Sequence, residues 1–127
     1  MGLDQYVYTV HADNAKGDFD FVTQEEDREE FMYWRKHNAL HSWMQNLYRA
    51  KGGTAEDFNC IPLRLTQEDL LALIADAKAQ KLQSAVGFFW GTNYDYDDEI
   101  ANQDIEFAHK ALAKIDQGYA VYYDSWW

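Results

Sequence analysis

The sequence predicts an α+β fold, a single domain (residues 1–127) with a mixed or antiparallel sheet of about five strands packed by three helices. Three observations predict it. A chain of 127 residues suits one domain and leaves little room for two. Short β-rich runs alternate with three stretches of helical periodicity. One proline, and no Ser/Gly-rich linker, repeat or low-complexity tract, gives no place to divide the chain. A chain this size buries roughly two thirds of its unfolded surface, so it needs no disulfide or metal to fold.

Residues 3–10, LDQYVYTV, are rich in β-formers, with Tyr6, Tyr8 and Val10 on one parity, and read as the first strand. Residues 12–18 carry the Asn, Gly and Asp of a loop, and FDFV (19–22) reads as a short strand. Thr23 with Glu26 has capping-box spacing, so a helical turn is expected near 24–29. One long helix from there to residue 50 fails on phase. The stripe Leu40, Trp43, Met44, Leu47 projects back onto Lys36, Tyr33 and Glu29, which do not continue it. The region therefore divides into a strand at 30–36 and a helix at 39–50, with Asn38 as N-cap and Gly52-Gly53 as its end. CIPLRL (60–65) suits a short strand whose Pro62 belongs at an edge or bulge. Thr66 then caps a helix over 67–80, striped by Leu70, Leu73, Ile74 and Ala77, with Asp69 at its third position. SAVGFFW (84–90) reads as a strand, with Gly87 marking a bulge or close approach. A helix over 98–116 turns Ala101, Ile105, Ala108, Leu112 and Ile115 inward, pairs Glu106 with Lys110 outside, and stops at Gly118. YAVYYDSW (119–126) closes the sheet.

Aromatic residues make up 17% of the chain and the formal net charge is −11. That aromatic content argues against disorder. That charge repels phosphate backbones, so direct nucleic-acid binding is disfavoured; it is compatible with a basic protein surface as partner, the alternative being that it serves solubility alone. The single cysteine, Cys60, excludes an internal disulfide and fits a reducing compartment; its apolar neighbours predict an inert buried thiol. MGLDQYVYTV has neither the basic region nor the apolar run of a signal peptide, and no apolar run spans a bilayer. The expected location is the cytoplasm.

The segment YWRKHNALHSW (33–43) concentrates the candidate chemistry. His37 and His41 stand four apart, a spacing at which one helix face can hold a metal. With Asn38 as cap, His37 falls outside the helix, so no metal site is expected. Alternation places Arg35 with Tyr33 and sends Lys36 to the other face. An arginine among aromatic rings grips an anionic or planar group; the alternative is an internal partner such as Asp4. His41, beside the apolar stripe, suits either a proton-transfer role or a hydrogen-bonded place at the core edge. No nucleophile motif or phosphate loop occurs. No catalytic residue or cofactor is assigned. The acidic runs, Glu25, Glu26 and Asp27 in the first and Tyr94, Asp95, Tyr96, Asp97 and Asp98 in the second, read as helix starts or as an imitation of a phosphate backbone.

The opening MGLDQY, the segment YWRKHNALHSW, GFFWG (87–91) and the ending YYDSWW together resemble a family of small proteins encoded by tailed bacteriophages and prophages. On this sequence the resemblance points to Asp4, Tyr33, Trp34, Arg35, Lys36, Asn38, His41, Trp43, Gly87, Gly91, Ser125 and Trp126. Trp90 stands where that family has Phe, and His37 lies outside its pattern. The resemblance implies a phage accessory protein and names no chemistry.

Two functions compete. One is a binding protein that modulates a host protein with a basic surface, plausible for an inhibitor of a host defence factor. Its acidic runs would make the contact and Trp127 would anchor it. The other is a small-molecule or nucleotide site, catalytic or not, built from Asp4, Tyr33, Arg35, Lys36 and His41. Homodimerisation through the aromatic ending is a third expectation.

Overall fold

The computed structural model describes residues 3–14, 17–21, 23–35, 37–79, 82 and 98–127. Four strands, β1 (Asp4–His11), β2 (Arg28–Arg35), β3 (Leu63–Leu65) and β4 (Tyr119–Trp126), form a sheet in the order β2-β1-β4-β3. Every pair in it is antiparallel. Three helices, α1 (Asn38–Ala50), α2 (Gln67–Lys78) and α3 (Asp98–Asp116), contribute to one core with it. The α+β architecture is the predicted one, and the sheet is antiparallel with four strands among the described residues. The expected strand at 84–90 lies outside them. The expected strand at 19–22 reduces to a single bridge between Phe19 and Leu63.

Alternation along paired strands decides which side chains meet the helices. Gln5, Val7 and Thr9 of β1 stand level with Ser125, Tyr123 and Val121 of β4, and all six are buried. Leu63 and Leu65 of β3 extend this face, which packs on Leu40 and Met44 of α1, Leu70 and Leu73 of α2 and Phe107, Ala108 and Ala111 of α3. In β2 the register slips: Met32 pairs with Val7 but Glu30 with Tyr8, leaving Phe31 as an extra residue. Such a bulge re-aims side chains. Here Phe31 and Trp34 both reach Phe107 of α3, at ring separations of 6.1 and 5.0 Å.

Several local expectations are corrected by tertiary contacts. Asn38 is the first residue of α1 rather than its cap; His37 caps it, its Nδ1 accepting from the Leu40 N–H at 3.4 Å. Residues 25–27 form a 3-10 turn, and Thr23 caps no helix. Its hydroxyl pairs with the Tyr122 phenol at 2.7 Å. β2 begins at Arg28 and β3 only at Leu63. Cys60 is exposed, on left-handed backbone at φ +58°, so it is not a core thiol. On α3 the inward face is Ala101, Asp104, Phe107, Ala108 and Ala111, while Ile105, Leu112 and Ile115 lie half-buried at its rim. The Thr66–Asp69 capping box and the buried stripe of α2 stand as predicted. So does the exposed Glu106–Lys110 pair at 3.0 Å.

The end of α1 carries a stability prediction. Gly52 takes φ +101° in open space, whereas a Cβ on Gly53 would collide with the Tyr48 ring. That ring cannot yield easily, because it stacks on Phe58 at 5.1 Å and its hydroxyl accepts from the Ala55 N–H at 3.0 Å. Gly53→Ala is expected to cost about 1–3 kcal/mol through overpacking, read as a lowered urea midpoint. Gly52→Ala is expected to cost about 1 kcal/mol, through backbone strain alone.

Candidate functional site

The opposite parity of the sheet builds a different surface. Across one row stand Arg35 of β2, Asp4 of β1 and Trp126 of β4; across the next stand Tyr33, Tyr6 and Asp124. Glu30, Tyr8, Tyr122 and Arg64 form the row after that. At the far end Phe21 packs on Tyr122 edge-on at 5.1 Å and closes a small second core with Val10 and Ala120. None of the three helices lies over the other end. There Trp126 is 65% exposed and Tyr33 45% exposed.

The rings on this face are ordered by one another. Tyr6 stacks on Tyr8 at 5.8 Å and meets Tyr33 at 5.2 Å, and Tyr8 meets Tyr122 at 5.4 Å. The Tyr33 phenol donates to the Asp4 carboxylate at 2.7 Å. Tyr33 thus takes the carboxylate, Asp4, that the sequence offered as an internal partner for Arg35, although Arg35 is the cross-strand neighbour of Asp4. The Arg28 guanidinium lies over the Tyr8 ring, 4.7 Å from its centre. Burial raises the Asp124 carboxyl above the usual carboxylate range, against the pull of the Ser125 N–H and the Arg28 charge.

Beneath the sheet, on the helix side, lies a buried polar network. Both oxygens of Asp104 on α3 lie within hydrogen-bond reach of His37 Nε2, at 2.8 and 3.0 Å. The Gln5 side chain accepts from the His37 N–H at 2.7 Å and donates to the His37 carbonyl at 3.0 Å. It also donates to the Tyr123 phenol at 3.0 Å, and that phenol meets His41 Nδ1 at 2.7 Å. Burial pushes His41 down to about 4 and raises the Tyr123 phenol well above its ordinary value. At neutral pH both are uncharged. The network joins α3, the start of α1, β1 and β4.

The structure therefore brings Asp4, Tyr33 and Arg35 together on the open face and places His41 on the opposite side of the sheet, fully buried. Lys36 and Tyr94, Asp95, Tyr96 and Asp97 lie outside the described residues. Glu25, Glu26 and Asp27 form the 3-10 turn, with Glu26 and Asp27 exposed, and Asp98 is exposed at the start of α3. Trp127 is tied down: its indole N–H donates to the Phe58 carbonyl at 3.0 Å and its backbone N–H to the Asn59 side chain at 3.0 Å. The exposed aromatic side chain at this end is Trp126, which strand parity would have separated from Trp127. Sequence reasoning also passed over Tyr6 and Asp124, whose shared parity with Tyr33 becomes visible only once the register is known. His37 and His41 do not converge, since their rings turn to Asp104 and Tyr123 respectively.

Two clefts, of about 420 and 360 Å³, lie between Asp18, Arg64 and Tyr119 and between the β2 bulge and α3; neither includes Asp4, Tyr33, Arg35 or His41. Among the described residues no group of three His, Cys, Asp or Glu side chains is placed to hold a metal. No helix among them is long and apolar enough to cross a membrane. Comparison with protein-family models, curated proteins and solved structures finds no match to this chain.

Proposed function

We propose that this chain is a phage accessory protein that binds and modulates a host protein, docking through the open face of its sheet. The observation that carries the reading is the group of exposed and partly exposed rings, Trp126, Tyr6 and Tyr33, in two adjacent rows of a face opposite the one packed on the helices. Rigid aromatic side chains give large contact area at little entropic cost and dominate binding hot spots. The net charge of −11 favours a partner with a basic surface. A host defence factor is the partner class we favour, on the resemblance of the sequence motifs to small phage proteins. The exposed carboxylates of Glu26, Asp27 and Asp98 act at longer range, steering approach.

A small-molecule site shared by Arg35 and His41 is less well supported, because the sheet stands between them and His41 is fully buried. The test is capture from host lysate at physiological salt, followed by titration of the purified partner. Trp126→Ala is expected to weaken binding about thirtyfold, the scale of a hot-spot truncation, with the fold intact because Trp126 is exposed. Recovery of no partner, or a partner held equally by the variant, overturns the reading.

A further inference from the structure

The open face already shows how it treats a cation. Arg28 lies on the Tyr8 ring with the Asp124 carboxylate near enough to feel its charge. Tyr6 stacks directly on Tyr8, one row nearer the exposed end, and among the described residues no cation lies over its ring. What surrounds Tyr6 is negative. Asp4 and Asp124 flank it, Glu30 lies close by, and all three raise its phenol, after burial itself. Tyr8 and Tyr33 differ in having Arg28 and Arg35, respectively, to offset their carboxylates. Tyr6 is therefore an aromatic ring in a negative field over which no cation lies among the described residues.

We propose that Tyr6 takes an arginine side chain of the bound protein, presented by an extended segment, with Asp4 and Asp124 as counter-charges and Tyr33 and Trp126 as walls. A planar guanidinium stacks on a ring while its edge donates to carboxylates, and both partners are offered here. Asp124 keeps spare acceptor capacity for it: it accepts from the Ser125 N–H at 2.9 Å and forms no ion pair within 4 Å among the described residues. Arg35 at the β2 edge of the same surface sets a direction, since it repels a second basic residue and favours an acidic one there. This assignment rests on the docking face proposed above and names what that face recognises.

The test uses three six-residue peptides of alternating Ser and Arg, Ser and Glu, or Ser alone, titrated into the intact protein and followed by amide chemical shifts. The Arg peptide is expected to shift the amides of Tyr6, Tyr33, Asp124 and Trp126 saturably, and the other two to leave them in place. Tyr6→Leu is expected to weaken the Arg peptide about three- to tenfold, and Tyr6→Phe to leave it unchanged, because the ring face alone is required. Trp126→Ala, at a more exposed position, repeats the test without risk to the fold. An Arg peptide that shifts chiefly Glu26, Asp27, Asp98 and Glu99, or that binds Tyr6→Leu equally well, overturns the assignment. If the purified partner still loses affinity on Trp126→Ala while the Arg peptide ignores the face, only the arginine assignment falls. If the partner ignores Trp126 as well, the docking face falls with it.

Discussion

Asp104→Ala is expected to destabilise the protein by roughly 1–3 kcal/mol, the cost of leaving a buried hydrogen-bond donor without its acceptor. Asp104 is 1% exposed and His37 5% exposed. Because His37 Nδ1 accepts from the Leu40 N–H, the proton of a neutral imidazole sits on Nε2 and points at the carboxylate. Alanine leaves that N–H buried and facing a void. The damage does not stay local, since the His37 backbone is held on both sides by the Gln5 amide, which also holds Tyr123. Asp104→Asn keeps an oxygen for the imidazole N–H and is expected to cost less than half as much. Urea unfolding of the two variants measures both. Equal costs for Ala and Asn would show that the charge of Asp104, rather than its acceptor oxygen, holds α3 to the start of α1.

How far the sequence carried this far depends on the range of the interaction concerned. Helix α2 was legible to its cap, because the Thr66–Asp69 box and the Leu70–Ala77 stripe are contacts within one turn or two. β1 and β4 were legible from β-propensity and alternation. The start of α1 was misplaced by one residue for a specific reason. Asn is the better intrinsic cap, but Asn38 is 1% exposed and His37 already has partners in Gln5 and Asp104, so tertiary bonds decide the cap. Thr23 was misread in the same way: its hydroxyl serves Tyr122, 99 residues on. The buried face of α3 was read from apolar residues alone, which hid Asp104, the polar residue that most defines it.

The candidate site was half legible. Alternation alone put Arg35 with Tyr33, and the register sets Asp4, grouped with them from the sequence, directly across from Arg35. What could not be read was which side of the sheet the helices would cover. Once α1, α2 and α3 take the Val7–Tyr123 side, Gln5 becomes core and Tyr6 becomes surface, and the two residues that the sequence grouped as one site, Arg35 and His41, are parted. The same step exchanges Trp127 for Trp126. One strand parity thus separates the structural histidines from the surface proposed above for docking.

The second large effect is on pH. His41 Nδ1 and the Tyr123 phenol share one hydrogen bond, and the phenol is kept protonated by burial. Protonating His41 would bury a charge against a neutral phenol. Burial accordingly lowers His41 from 6.5 to about 4. A histidine whose folded value lies below its unfolded value binds more protons when unfolded throughout the interval between them, so stability rises with pH across it. The contribution is fully present above pH 6.5 and is lost as pH falls towards about 4. A gap of this size is worth about 3 kcal/mol. Asp124 works in the opposite sense, since burial raises its carboxyl and favours folding as pH falls, but it is common to wild type and to a His41→Gln variant. Urea midpoints of the two proteins, taken at intervals from pH 7.5 to 4, isolate the histidine. The wild type is expected to lose stability steeply on acidification and His41→Gln to start lower but fall less. Parallel curves would show that the imidazole is not held neutral by its surroundings, and the network beneath the sheet would then be open to water.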